Sequence, residues 1–330
     1  MHPLTRFFNY LKRIDFALAL TREHIDDREL TEWYPNWMYE LMETDETRNG
    51  PYRDAIRELV ADRIVLELGT GRKALWAIHC VRAGAKRVYA IEANRKAYQA
   101  SLEVVRAQKI ENLQIVCGFS DKVELPERCN VLVHDLVGDI GSSEGMVSFV
   151  ADARKRLLTS DAIHIPRRCT THVFLAEDPE LRSVEWALSY VLRGFQRYEP
   201  LRFVRFFSFP HSAALSSPQV FEDIVLDRNA PFDTSAELQF EIERDGELRG
   251  VCFFIRLHLD ENRIIDTWTG HTSWSTPFVR FRAPTRVRKG DIALLQIRSD
   301  VSASPSYALK LIHKCDGAIR EIGDYAWSGD

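Results

Sequence analysis

A short apolar segment that runs directly into a glycine-rich turn constrains this chain more than any other feature. Ile64-Val65-Leu66-Glu67-Leu68 has the length and composition of a buried strand, and Gly69-Thr70-Gly71 follows it without a break. An apolar helix is predicted from Ala74 to Ala83, and Gly84 ends it. A strand that ends in Gly-x-Gly and opens a helix lets the backbone approach a phosphate or a nucleoside. This order of elements predicts a nucleotide-like ligand at the end of a parallel strand.

The chain before this strand is predicted to be helical, and beyond it strands and helices alternate. Apolar residues at helical spacing from Phe7 to Leu18 predict a first helix. A second is expected from Trp33 to Met42 and a third from Pro51 to Val60, with Pro51 in a first turn, where proline is favoured. The later elements are predicted at Arg87–Ile91 (strand), Lys96–Lys109 (helix), Leu113–Cys117 (strand), Asn130–Val133 (strand), Val147–Leu158 (helix) and Ala162–Ile165 (strand). Such alternation gives a parallel sheet with helices on both faces.

The pattern changes after Pro166, where we place a domain boundary. Most later segments alternate apolar and polar residues, as antiparallel strands with one buried face do. They lie at Thr170–Ala176, Leu201–Ser208, Val220–Leu226, Ala236–Arg244, Gly250–Leu259, Phe278–Phe281, Ile292–Ser299 and Tyr307–His313. One helical insertion, from Pro179 to Phe195, is predicted among them.

Bulk composition argues against several classes of protein. The formal net charge of -4 disfavours a nucleic-acid partner that needs a broad basic face. The six cysteines form neither a CxxC pair nor a Cys/His cluster at zinc-ligand spacing, so no metal site and no disulfide framework are predicted. Charges interrupt Met1 to Leu20, and no apolar run of about 20 residues exists. A cytoplasmic protein without a membrane partner is expected.

A carboxylate at the end of the second predicted strand narrows the ligand. Glu92 follows Gly71 by 21 positions, where an acid can accept both ribose hydroxyls of an adenosine moiety. These residues alone leave a nicotinamide dinucleotide open, with Ala74 in place of a third glycine. They also leave open a tight turn followed by a surface glutamate.

The wider pattern from Met42 onward resembles the protein arginine methyltransferase family. The matching motifs are Met42-x-x-Asp45-x-x-Arg48-x-x-x-Tyr52, Val65 to Gly71, Ala83 to Glu92, Gly118 to Val123, and Thr272-Ser273-Trp274 followed by Lys289-Gly290-Asp291. The resemblance is dense in the first half of the chain and thin in the strand-rich half. It implies an S-adenosylmethionine cofactor.

The resemblance also implies the roles of individual cofactor residues. Arg48 would bind the cofactor's carboxylate, a contact that suits a guanidinium. Glu67, Gly69 and Gly71 belong to the first motif. Glu92 would hold the ribose. Ser120 would offer its backbone N–H to adenine, and Asp121 would accept from the exocyclic amine.

Two acids in one loop point to the acceptor. Asp135 and Glu144 lie nine residues apart, a spacing at which the family has two glutamates. Two carboxylates can grip a planar guanidinium through paired hydrogen bonds and aim its nitrogen at the methyl group. Asp135 and Glu144 are therefore the predicted catalytic and substrate-binding clamp, with Trp274 beside the substrate. Without the resemblance, both acids would be interpreted as solvated loop residues.

The sequence departs from the family on the substrate side. Asp135 is one methylene shorter than the family's glutamate, and Ser273 replaces a histidine that pairs with the acid matching Asp45. Arg72 and Lys73 follow Gly71 where a third glycine is usual. The family's N-terminal aromatic pair has no clear match, and the candidates to cover the cofactor are Trp33, Tyr34 and Trp37.

These departures favour a small acceptor over a flexible protein tail. We predict methylation of a guanidino group, with free L-arginine preferred and N-omega-methylarginine as the product. The acceptor's carboxylate would meet extra cations, for which the candidates are Arg72, Lys73, Arg167 and Arg168. Protein-bound arginine, another amine, and a catalytically silent binding partner are the alternatives.

The predicted fold class is an α/β Rossmann-like methyltransferase domain followed by an antiparallel β-barrel-like domain with a helical dimerisation arm. The boundaries are 1–40 for an N-terminal helical segment, 41–166 for the cofactor domain and 167–330 for the barrel, with the arm at about 179–195. Trp186, Tyr190, Val191 and Phe195 give the arm an apolar stripe. The resemblance implies a homodimer built through this arm.

Overall fold

The computed structural model describes residues 36–179 and 202–328, apart from positions 303, 316 and 317. Its helices are α1 (Asn36–Glu43), α2 (Glu46–Leu59), α3 (Leu75–Arg82), α4 (Arg95–Ala107) and α5 (Met146–Arg156). The first strands are β1 (Ile64–Leu68), β2 (Arg87–Glu92), β3 (Leu113–Cys117), β4 (Cys129–His134) and β5 (Leu158–Ile165). The later strands are β6 (Arg168–Ala176), β7 (Phe203–Phe206), β8 (Gln219–Val225), β9 (Asp233–Glu241), β10 (Gly246–His258), β11 (Ile264–Asp266), β12 (Thr276–Val287), β13 (Ile292–Asp300), β14 (Ser306–Cys315) and β15 (Ala318–Ser328).

The first five strands form a parallel sheet in the order β3-β2-β1-β4-β5. Apart from Glu67, the residues of the central strand β1 are apolar, and four of its five residues are buried. Chain order reverses at β1, because β2 lies on one side of it and β4 on the other. In open α/β sheets, ligands bind in the crevice at such a reversal, outside the carboxyl ends of the strands.

Helix α2 begins earlier than expected from the position of Pro51. The prediction of a first turn at Pro51 is wrong, because the helix begins at Glu46 and Pro51 lies inside it. The carboxylate of Asp45 sets this start by accepting the backbone N–H of Arg48 at 3.0 Å, as an N-cap residue does. This cap places Arg48 on the first turn, where its side chain is buried.

The second half of the chain is antiparallel. One sheet has the order β7-β12-β10-β6-β8 with β11 paired to β10, and the other has the order β15-β14-β13-β9. The two sheets meet where β8 contacts β9 and where β12 contacts β15, so that together they enclose a barrel-like core. The predicted fold class, a Rossmann-like domain followed by a β-barrel-like domain, is confirmed. Strands β11 and β15 were not predicted.

Pairing changes from parallel to antiparallel between β5 and β6, on either side of Pro166. The domain boundaries that we placed from the sequence stay predictions. The predicted arm falls almost wholly outside the described residues, as do the first 35 positions. No described helix is long and apolar enough to span a lipid bilayer.

Candidate active site

Strand register brings two loops together at the carboxyl edge of the parallel sheet. Leu68 on β1 is paired with Ile91 on one side and with His134 on the other. The residues that follow these three strand ends are therefore neighbours. A side chain at Gly69 would meet Leu136, with 3.1 Å between its Cβ and Cδ2 of the leucine. The glycine turn thus lies between Glu92 and the acidic loop that begins at Asp135.

The glycine turn is held by β2. Gly69 and Gly71 adopt φ values of 74° and 67°, a region that glycine enters without steric cost. The N–H of Gly69 donates to the carbonyl of Ile91 at 2.9 Å, and that of Gly71 donates to Oε2 of Glu92 at 2.7 Å. Burial raises the pKa of Glu92. The glycine turn and the carboxylate of Glu92 therefore form one cradle, as the motif spacing predicts.

Tyr39 on α1 covers this cradle, and sequence reasoning missed it. A Cβ on Gly71 would lie 3.5 Å from Cε1 of Tyr39, so the tyrosine ring packs directly over the glycine. Burial, and then the negative charge of Glu92, raise the pKa of the Tyr39 hydroxyl. Trp33 and Tyr34, two of the predicted cover residues, lie outside the described residues, and the side chain of Trp37 also does. Its place in the sequence could have indicated this role, because Tyr39 lies three residues before Met42, where the first matched motif begins.

The two unexpected cations after Gly71 bind helix α1. Arg72 makes a two-pronged contact with Glu43, with Nε and Nη2 each 2.9 Å from one carboxylate oxygen. Lys73 Nζ lies 2.7 Å from Oε2 of the same carboxylate. Burial opposes ionisation of Glu43, but hydrogen bonds from Arg72 and Lys73 outweigh it and hold its pKa below the ordinary value. These contacts fasten α1, and with it Tyr39, onto the glycine turn.

Glu67 lies behind the turn. Its side chain is buried, and one carboxylate oxygen accepts the hydroxyl of Thr70 and the N–H of Ala77, the latter at 3.0 Å. Burial raises the pKa of Glu67 to about 8. The described contacts fix the turn and the first turn of α3. Its predicted role toward the cofactor stays a prediction.

Arg48 and Asp135 meet where the acidic loop begins. Nη2 of Arg48 pairs with Oδ2 of Asp135, and both side chains are largely buried. Nη1 of Arg48 donates to the carbonyl of Met42 at 3.1 Å and to Oδ1 of Asn49 at 2.8 Å. The hydroxyl of Tyr52 donates to the carbonyl of His134 at 3.0 Å, next to Asp135. The predicted cofactor cation and the predicted acceptor acid are therefore direct partners.

Two indole rings enclose this pair. The guanidinium carbon of Arg48 lies 5.4 Å from the ring centroid of Trp76 and 5.6 Å from that of Trp274, within cation–π range. Trp274 Nε1 donates to the carbonyl of Val137 at 2.6 Å. Trp274, a predicted substrate-binding residue, thus joins the barrel to the acidic loop.

Backbone contacts replace the missing histidine. Ser273 stands at its position, and the N–H of Ser273 donates to the carboxylate of Asp45. Asp139, inside the acidic loop, accepts the N–H of Ser275 at 2.6 Å and lies 3.4 Å from Nε of Arg205. The barrel loop therefore contacts both α2 and the acidic loop without an imidazole.

The predicted adenine-binding residues follow β3. Ser120 is buried, and its carbonyl accepts Nη2 of Arg156 at 2.6 Å. Asp121 is exposed and pairs with Lys122 at 2.8 Å. The N–H of Gly118 donates to the carbonyl of Glu92 at 2.9 Å, so this segment adjoins the ribose candidate. Glu144, the second clamp acid, is exposed near the far end of the acidic loop. The roles of these residues stay predictions.

Comparison with known proteins gives a consistent relationship. No family model matches the chain. Protein arginine N-methyltransferase 1 of Schizosaccharomyces pombe is 31% identical over 175 residues, which cover 51% of this chain and 51% of that protein. A probable protein arginine N-methyltransferase 6 of Arabidopsis thaliana is 33% identical over 147 residues, 43% of this chain and 33% of that protein. The chain thus spans about half, or less, of the curated relatives that it matches.

Solved structures agree with the fold over nearly the whole chain. The Trypanosoma brucei PRMT1 enzyme–prozyme heterotetrameric complex with AdoHcy has a TM-score of 0.76 at 18% identity, covering 91% of this chain and 100% of that one. Arabidopsis thaliana protein arginine methyltransferase 10 has a TM-score of 0.72 at 16% identity, covering 88% and 96%. At these identities the likeness establishes the fold.

Fold and crevice define a Rossmann-like methyltransferase architecture with an appended β-barrel. The sequence matches refine this class: over about half of its length the chain is similar to protein arginine N-methyltransferases, and the predicted resemblance to that family is confirmed.

Proposed function

We propose that this chain is an S-adenosylmethionine-dependent arginine N-methyltransferase whose acceptor is a protein-bound arginine. The observation that carries the proposal is the Arg48–Asp135 pair, which joins the first turn of α2 to the start of the acidic loop. A largely buried cation and acid in contact provide one site for a carboxylate and one for a guanidinium, side by side.

The residues around the crevice fit the cofactor. Its carboxylate would contact Arg48, its ribose would contact Glu92, and its adenine would lie toward Ser120 and Asp121. The glycine turn and the Tyr39 ring bound the space beside Glu92. When bound, this cofactor supplies an electrophilic methyl group. Each proposed contact pairs opposite charges or a donor with an acceptor, which is the donor set that an adenosyl amino acid needs.

The acidic loop would hold the acceptor. A guanidinium is protonated and poorly nucleophilic in water, because its pKa is about 13. Asp135 and Glu144 would fix the planar cation through paired hydrogen bonds and keep positive charge on the nitrogens that do not react. Trp274 would lie beside the acceptor, since its ring centroid, like that of Trp76, lies close to the Arg48 guanidinium carbon, at 5.6 and 5.4 Å.

Protein-bound arginine is favoured over free L-arginine because the extra cations already have partners. Arg72 and Lys73 contact Glu43, and Arg168 contacts Asp223 through two bonds of 2.6 and 2.7 Å. Arg167 lies 3.1 Å from Glu261. The carboxylate of a free amino acid would have to displace one of these acids. The sequence relatives are also named as protein arginine methyltransferases.

The deciding experiment offers the purified chain labelled S-adenosylmethionine with an arginine-rich peptide or with free L-arginine. We expect label on the peptide, and mass spectrometry of hydrolysed peptide then counts the methyl groups per arginine. Label on L-arginine alone would overturn the choice of acceptor. Cofactor binding by calorimetry without transfer to either acceptor would favour a silent binding partner.

Glu144→Gln tests the clamp in the same assay. Loss of one carboxylate should lower peptide methylation by about a hundredfold or more while the cofactor still binds. Glu321→Gln, a matched change on the exposed face of β15 where Glu321 pairs with Lys310, should leave turnover unchanged. Equal activity of the two variants would show that Glu144 does not hold the acceptor.

A further inference from the structure

Glu222 on β8 is a buried carboxylate that the proposed chemistry does not use. Its residue exposure is 3%. Oε1 accepts the hydroxyl of Ser142 at 2.6 Å, and Oε2 accepts the hydroxyl of Thr171 at 2.8 Å. Ser142 belongs to the acidic loop of the parallel domain, whereas Thr171 belongs to β6. The carboxylate therefore joins the loop to the barrel wall.

The contact extends over two consecutive loop residues. Thr171 donates to Glu222, and its oxygen accepts the N–H of Gly141 at 2.9 Å. The Ser142 hydroxyl also lies 2.7 Å from the hydroxyl of Tyr307 on β14. Ser299 on β13 completes the set at 3.4 Å from Oε1 of Glu222. Three barrel strands thus supply polar groups to one short stretch of loop, and a fourth, β13, supports Glu222 through Ser299.

The partners of Glu222 named above are neutral groups. Placing a carboxylate among neutral groups is an unfavourable way to fill space, so packing alone does not explain this arrangement. Burying a carboxylate without a cation is unfavourable unless hydrogen bonds satisfy it. Burial raises the pKa of Glu222, and the hydroxyls of Ser142 and Thr171 partly offset the rise. A carboxylate has about four acceptor sites in fixed directions. It can therefore specify where two hydroxyls lie, which an apolar side chain cannot do.

This anchor lies immediately before Glu144. The N–H of Ser143 donates to the carbonyl of Ile140 at 2.8 Å, which closes a tight turn around Gly141 and Ser142. Gly145 follows with φ of 71°, and α5 begins at Met146. Glu144 is thus confined between an anchored turn and a helix start, although its own side chain is exposed.

We infer that Glu222 is a positioning residue that sets the location of Glu144 by holding the Gly141–Ser142 turn against the barrel. The inference deepens the proposed function and rests on it, because Glu144 matters only where an acceptor guanidinium is bound. It also assigns the barrel a part in acceptor binding through residues that never touch the acceptor.

Glu222→Leu tests the inference by removing all acceptor sites at similar volume. We expect kcat/KM for an arginine peptide to fall roughly tenfold or more, the loss typical of hydrogen bonds to a charged group. The Kd of S-adenosylhomocysteine should stay within about twofold, since Arg48 and Glu92 lie on other elements. Glu222→Gln keeps one acceptor oxygen and should retain part of the activity.

Two further variants provide an independent test and a control. Ser142→Ala removes the same hydrogen bond from the loop side and should reproduce the loss if Glu222→Leu fails to fold. Ile297→Val is the matched barrel control, because Ile297 is buried on β13 two residues from Ser299. This control should lower the melting temperature without lowering kcat/KM. Parallel losses of peptide turnover and cofactor affinity in the Glu222 or Ser142 variants would overturn the inference.

A readout independent of turnover separates this inference from the proposed function. Hydrogen exchange of the amides from 138 to 145 should accelerate in Glu222→Leu and Ser142→Ala but not in Ile297→Val. If the native chain transfers no methyl group, the proposed function fails, and the exchange rates still decide whether Glu222 anchors the loop. Unchanged exchange in both variants overturns the anchoring itself.

Discussion

Arg48 on α2 and Asp135 after β4 form a largely buried ion pair, with side-chain exposures of 5% and 12%. Each residue is proposed to bind a different ligand, Arg48 the cofactor's carboxylate and Asp135 the acceptor's guanidinium. Each ligand must therefore share or displace a partner that is already present. This competition makes the two affinities separable by mutation.

Asp135→Asn should preserve or strengthen cofactor binding while lowering methyl transfer to the acceptor. Removal of the negative charge frees Arg48, so the affinity for S-adenosylhomocysteine should stay equal or rise severalfold. Turnover of an arginine peptide should fall by about a hundredfold or more, because the acceptor loses a carboxylate. Calorimetry and a methyl-transfer assay measure the two effects.

Asp54→Asn is the control for this prediction, because Asp54 is exposed on the same helix as Arg48 and pairs only with Arg57 among the described contacts. It should change neither quantity. Weaker cofactor binding in Asp135→Asn would mean that Asp135 orients Arg48 rather than competing for it.

The cradle formed by the glycine turn and Glu92 was predictable from the sequence because its parts are local. A strand, two glycines and a strand-end acid have fixed spacing in this fold, and strand register then places Gly71 against Glu92 at 2.7 Å. The cap that orients Arg48 is also local, since Asp45 lies three residues before it. Because secondary structure fixes the distances between residues that are close in sequence, short-range patterns of this kind predict the geometry directly.

The partners of Arg72 and of the acidic loop were not predictable in the same way. Glu43 lies 29 positions before Arg72, and Glu222 lies 80 positions after Ser142. Neither acid belongs to a periodic pattern, so only the tertiary fold identifies it. Strand β15 was missed because most of its described residues are exposed or half-buried, which weakens the alternation that predicts strands.

Glu43→Gln should loosen the cover of the proposed cofactor site. Without its charge, Arg72 and Lys73 no longer fasten α1 to the glycine turn, and Tyr39 is less firmly held over Gly71. We expect the Kd for S-adenosylhomocysteine to rise roughly tenfold at low salt. The difference from the native chain should shrink as salt is added, because ion pairing is screened.

Glu46→Gln provides the comparison for Glu43. Glu46 also pairs with an arginine, Arg53, but with 72% of its side chain exposed, and such surface pairs contribute little. Its cofactor affinity should match that of the native chain. A native-like Kd in Glu43→Gln would show that α1 stays in place without this ion pair.

Glu67 should make the stability of the fold depend on pH. Its pKa is raised from 4.5 to about 8 by burial. Below pH 4.5 the carboxyl is protonated in both the folded and unfolded states. As pH rises from 4.5 to about 8, the unfolded state loses its proton while the folded state keeps it, so folding stability falls.

Urea unfolding of Glu67→Gln across this pH window measures the effect. The variant should lack the decline, and the upper limit of the difference is on the order of 5 kcal/mol. Glu237→Gln, an exposed change on β9 next to Gln296, should keep the native pH profile. Equal slopes for Glu67→Gln and the native chain would contradict the buried, protonated state of Glu67.

Gly141→Ala should disturb the acidic loop through a single clash. An added Cβ would lie 2.6 Å from Sγ of Cys169 and 3.2 Å from Oγ1 of Thr171. Both contacts lie against buried barrel residues, so the turn must move away from Thr171 and from the hydroxyls around Glu222. We expect kcat/KM for an arginine peptide to fall roughly tenfold, with the melting temperature lowered by a few degrees.

Cys169→Ala in the same chain should restore much of the loss. Removal of the sulfur leaves the Cys169 Cβ at 3.6 Å, an ordinary contact, and only the tighter Thr171 contact remains. Because the two positions touch, a double-mutant cycle should give a favourable coupling energy, whereas distant pairs add independently. Cys252→Ala serves as the matched control and should not rescue Gly141→Ala, because this buried cysteine packs in a separate cluster with Phe174, Phe254 and Phe278. Rescue by both cysteine changes would mean that general barrel loosening, rather than the clash at Gly141, controls the loop.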